Sequence, residues 1–249
     1  MATAGARRPP HPVPYCPAMD AKALRPTYYL DFDNPVVADF ARRAAGDAAT
    51  PIERARRIFV AVRDDIRYDP YTSSFDPATY RASHVLSAGA SFCIPKAILL
   101  AAALRAVGVP ARLGFADVQN HLATRRLLEA ARTNVFAFHA YAEVEIDGRL
   151  VKATPAFNAS LCAHFGVPPL EFDGRTDALL QPFDGSGRAF MQYLRDRGRY
   201  DDFPFDEMCR VWLEVYPHLA DLRGTEGERF VFGRRDFAAD AAAERGAPR

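Results

Sequence analysis

From Phe138 to Ile146 the apolar residues Phe138, Ala140, Ala142, Val144 and Ile146 alternate with His139, Tyr141, Glu143 and Glu145, and the run ends on Asp147-Gly148. A period of two belongs to a strand with one covered face. Asp-Gly closes two-residue hairpins, because both central residues must take positive φ. This stretch therefore commits the chain to an antiparallel hairpin. A two-residue turn sets Ile146 opposite Arg149, Glu143 opposite Lys152, Tyr141 opposite Thr154 and His139 opposite Ala156, and the opposite charges of Glu143 and Lys152 support that register.

The helices are signed by their ends. Asn34 can cap a helix over Pro35 to Ala45. Thr50-Pro51-Ile52-Glu53 is a capping box with proline at the first helical position, followed by Ile52, Ala55, Ile58, Phe59, Val62 and Ile66 at helical spacing. The strongest helix runs from about Cys93 to Val107; Pro95 suits its first turn and Gly108-Val-Pro110 stops it. Arg112 to Val118 reads as a strand, His121 to Arg132 as a helix-prone surface flap, and a short helix is expected around Leu86. Helices are expected over Arg188 to Arg197 and Asp206 to Tyr216, and a frayed tail from about Arg234. The expected organisation is a flexible, proline-rich arm over residues 1–27, one α+β domain over 28–232 with its core motif at 50–158 and a helical extension at 159–232, and a tail over 233–249.

Composition narrows the function classes. The 32 Lys and Arg against 31 Asp and Glu leave a net charge of +1 over 249 residues, so no basic field argues for nucleic acid or an anionic membrane. The apolar run Ala97 to Leu104 is broken by Arg105 and falls short of the about 20 residues a membrane span needs. No apolar core of a secretory signal precedes it, so a cytoplasmic protein is expected. Cys16, Cys93, Cys162 and Cys209 include no C-x-x-C pair, which argues for reduced thiols rather than a disulfide framework or zinc knuckle. No metal or cofactor motif is present, and none is expected.

Chemistry concentrates on two residues. Cys93 opens a helix, where unpaired amides and the helix dipole favour a thiolate and can receive an oxyanion; taken alone, it reads first as a small buried residue. His139 lies on the polar face of its strand, where it could serve as base to a thiol. An imidazole in that role needs an orienting group. The register places Thr154 and Asn158 diagonally on the same face, about 7–8 Å away by Cα, and leaves both open.

Cys93, followed by Lys96-Ala-Ile-Leu-Leu-Ala-Ala-Ala-Leu-Arg105-Ala-Val-Gly108-Val-Pro110-Ala-Arg112, resembles the cysteine motif of the transglutaminase-like superfamily of bacterial type. His139-Ala-Tyr-Ala-Glu143-Val resembles its histidine motif, and Arg54 to Tyr68 the helix before it. The resemblance implies a papain-like α+β fold with the nucleophile helix on an antiparallel sheet. It also implies a cysteine hydrolase or acyltransferase that forms an acyl-thioester on Cys93, with an amide- or thioester-bearing small molecule or peptide as substrate. Hydrolysis is the first expectation and transfer to a small amine the next. The family's catalytic Asp, in an Asp-Pro-Thr at the hairpin end, falls on Thr154 beside Pro155. With no carboxylate there, a catalytically silent binding module is the alternative.

Overall fold

A computed structural model describes residues 19–121, 123–222 and 237–245. Helix α1, Pro35–Ala45, begins where Asn34 accepts from the Val36 amide at 3.1 Å. Helix α2, Pro51–Asp65, begins with the full capping box: Thr50 Oγ1 accepts from the Glu53 amide and Glu53 Oε2 from that of Thr50. Strand β1, Arg67–Tyr68, α3, Ala82–Ala88, and β2, Ala90–Ser91, lead into α4, Cys93–Ala106. Strand β3, Ala111–Asn120, is followed by α5, Arg125–Ala131, then β4, Val135–Ile146, β5, Arg149–Ala153, and α6, Ala159–Phe165. Strand β6, Met191–Tyr200, α7, Phe205–Val215, and α8, Phe237–Arg245, complete the described elements.

The result is an α+β architecture in which helices pack on a four-stranded antiparallel sheet ordered β5-β4-β3-β6. Asp147 and Gly148 both take positive φ, and the hairpin pairs Ile146 with Arg149 and Glu143 with Lys152, as the sequence predicts. Its charges are shared differently: Glu143 pairs with Arg112 and Arg199, while the Lys152 ammonium lies over the Tyr141 ring. The ladder ends at Ala142 opposite Ala153. Beyond it the Thr154 amide donates to the Ala178 carbonyl, so Tyr141 and His139 do not continue the pairing with Thr154 and Ala156.

Helix α4 is buried on nearly all sides, wrapped by α1, α2, α3 and the sheet. Even Lys96 is enclosed, and its ammonium donates to the carbonyls of Arg63 and Ile66 at the end of α2. An unpaired ammonium could not be held there. Burial pushes its pKa down to about 7.

Three expectations are corrected. Arg188 to Arg197 contains no helix; Met191–Tyr200 is strand β6 on the sheet edge. Part of the expected tail is α8, whose Phe237 packs edge-on against Tyr68 and Tyr71 and whose Asp240 accepts from the Tyr71 hydroxyl. Of the expected arm, residues 1–18 lie outside the described residues, but 19–27 is tied down. The Met19 amide donates to Glu145, Ala23 is buried, and Arg105 donates to the Arg25 carbonyl.

Candidate active site

Strands β1 and β2 pair in parallel, Tyr68 with Ser91, and so carry the chain into Cys93 at the first position of α4. No side chain caps that helix start. The amides of Cys93 and Ile94 therefore have no intrahelical partner. Both lie close enough to the sulfur to favour a thiolate, as does the amide of Ala140, next to His139 on β4. Burial outweighs all three and pushes the Cys93 thiol up to about 11, although the residue keeps some exposure. The helix start alone predicts the opposite direction; the crowded surroundings reverse it.

His139 shares a cleft with Cys93. Phe92, Phe157, Leu127 and Trp212 are among its other walls, and about 50 Å³ of it is open to water. That volume holds a few waters or the reacting end of an acyl group. His139 is 4% exposed, not surface-facing as its place on the polar strand face suggests. Burial pushes its pKa down to about 4, with no charged group among the described residues acting on it. Its Nε2 is buried without a hydrogen-bond partner among the described residues.

A β-bulge aims His139. Between the pairs Ala116 with His139 and Val118 with Phe136, the single residue Asp117 faces Ala137 and Phe138. Phe138 takes φ 65°, a left-handed conformation that costs a non-glycine residue about 1–2 kcal/mol. Its ring enters the core against Phe115, and His139 follows on the cleft side. Side chains hold three of the backbone groups at the bulge. The Phe138 amide donates to Asp117, which Arg197 of β6 grips with two nitrogens; the Ala137 amide donates to the Tyr216 hydroxyl, and the Ala137 carbonyl accepts from Trp212. Bulges beside active sites commonly re-aim a side chain. Asp117, Arg197, Trp212 and Tyr216 escape the sequence reading because each acts through the backbone of β4 from a distant segment.

The two candidate orienting residues part company. Asn158 Oδ1 accepts from the Tyr68 amide at 2.9 Å and its Nδ2 donates to Ser160 at 2.7 Å. Its amide thus pins β1 to the start of α6 and makes no bond to His139. Thr154 is buried, and its Oγ1, like His139 Nε2, has no hydrogen-bond partner among the described residues.

A helix-borne thiol and a strand-borne imidazole lining one cleft, on helices packed against an antiparallel sheet, have the arrangement that cysteine acyl-transfer enzymes use. Residues 38–155 match the model of the transglutaminase-like superfamily. The chain carries a domain of that superfamily. Two solved structures are similar: a "Putative Cysteine Protease" from Cytophaga hutchinsonii (16% identity, TM-score 0.43, covering 73% of this chain and 55% of that one) and a "putative protease" from Parabacteroides distasonis (16% identity, TM-score 0.34, covering 53% and 25%). The aligned region thus spans about half of the first and a quarter of the second. No curated protein matches the chain.

Proposed function

We propose that this protein is a cysteine-nucleophile hydrolase or acyltransferase acting on amide, peptide or thioester carbonyls. The observation that carries the reading is the meeting of Cys93, at an uncapped helix start, with His139 and the Ala140 amide in one cleft. Raised thiol and lowered imidazole pKa values make the resting pair neutral. With Nε2 on the buried side, Nδ1 is the nitrogen left to take the thiol proton. Proton transfer accompanies attack, so that the sulfur–carbon bond forms as His139 becomes imidazolium. The amides at the start of α4 are placed to receive the oxyanion. Collapse breaks the carbon–nitrogen or carbon–sulfur bond, and the His139 proton leaves with the amine or thiol. Water then releases the acid, and a small amine in its place would yield a new amide.

The neutral resting pair and the absence of a carboxylate at position 154 favour one other reading, a cleft that binds without turnover. Intact-mass analysis after brief incubation with amide and thioester donors separates the two. An acyl adduct mapping to Cys93, absent in Cys93→Ala, is the expected result. No adduct with any donor, together with no labelling of Cys93 by iodoacetamide, would leave the binding module.

A further inference from the structure

His139 Nε2 and Thr154 Oγ1 are both buried without a hydrogen-bond partner among the described residues, and Thr154 holds the position where the superfamily motif has its carboxylate. Buried polar atoms in that condition are uncommon and call for an explanation. A third group stands beside them. Tyr193 of β6 packs its ring edge-on to the imidazole, centroids 6.0 Å apart. Its hydroxyl oxygen accepts from the Leu180 amide at 3.4 Å, and it lies near enough to the Thr154 hydroxyl to feel it as a donor. Among the described residues the titratable groups acting around Tyr193 are Cys93, Tyr141 and the uncharged His139, and no carboxylate acts on His139.

We propose that Tyr193 is the positioning residue that serves in place of the missing carboxylate: its ring fixes the plane of His139, and its hydroxyl oxygen accepts from Thr154, so that the threonine oxygen turns a lone pair to His139 Nε2. When His139 takes the Cys93 proton, its Nε2–H donates to Thr154 Oγ1, the Thr154 hydroxyl donates to Tyr193, and the Leu180 amide holds the tyrosine oxygen. No proton leaves Thr154 or Tyr193. A hydroxyl stabilises an imidazolium less than a carboxylate does, so the pair stays neutral at rest, in keeping with the depressed imidazole pKa. The role rests on the Cys93–His139 reading above.

The test is the pH dependence of Cys93 carboxamidomethylation by iodoacetamide, mapped by mass, in the full-length chain. Tyr193→Phe keeps the ring and Thr154→Val keeps the shape. Each is expected to slow labelling near neutral pH about five- to tenfold, as loss of one ordinary hydrogen bond does. The double variant should be no slower than the slower single one, because the two act in series, and Thr154→Ser should recover most of the rate. If Tyr193→Phe labels within twofold of wild type at every pH, or if the two losses multiply, the proposal is overturned. His139→Ala labelling as fast as wild type would overturn the Cys–His reading itself.

Discussion

Cys93 and His139 are held in their uncharged forms by burial, and that has a consequence for stability. A histidine with its ordinary pKa of 6.5 in the unfolded chain and about 4 when folded binds more protons unfolded between those values. Stability therefore rises with pH from about 4 to 6.5 and is flat above. The full window is worth about 3 kcal/mol. Urea unfolding at pH 4.5 and pH 7 should show the difference, and His139→Ala should shrink it. A second outcome concerns the thiols. Cys162 is also pushed up to about 11 by burial but does not line the cleft that Cys93 and His139 share, so iodoacetamide should reach Cys93 before Cys162 or Cys209 in the folded protein. A third concerns Thr154→Asp. A carboxylate facing His139 would raise the imidazole pKa and with it the thiolate share, so labelling at pH 6–7 should quicken several-fold. The nucleophile and its histidine could be read from the sequence because each sits in a short local motif. Tyr193 could not, since nothing local ties it to either.

Elements show the same division between local and distant causes. The Thr50–Glu53 capping box and the Asp147-Gly148 turn are decided within four residues, and the structure has both. Strand β6 is misread as helix because it is an edge strand with two register shifts, and Arg195, Asp196 and Arg197 hide any alternation. Edge strands carry charge and bulges against unwanted pairing, and that blurs the period from which strands are recognised. The bulge before His139 depends on this strand. Arg197→Ala would leave the Asp117 carboxylate, now about 10% exposed, without its cation. A loss of about 3–5 kcal/mol is expected for a buried pair broken on one side. Asp117→Asn keeps an acceptor for the Phe138 amide and should be milder. A thermal melt alongside Cys93 labelling would distinguish lost stability from lost aim; in Asp117→Asn, labelling should fall more than the melting temperature.

Across the whole molecule, α8 binds two segments distant in sequence. Asp240 meets both the Tyr71 hydroxyl and Arg126 of α5, and Glu244 accepts from the Arg125 amide at 2.7 Å. Helix α5, the expected flap between β3 and β4, sets Leu127 into the cleft wall. Asp240→Ala should therefore speed hydrogen exchange over Arg125–Ala131 while leaving α4 unchanged. The opposite pattern would show that α8 supports the core instead. The enclosure of α4 bears on motion as well. The helix that carries the nucleophile is the one most completely surrounded, so its amides should be among the last to exchange with solvent. Cys93 is then the stationary partner in any encounter, and whatever a substrate needs in the way of room has to come from the walls that face it.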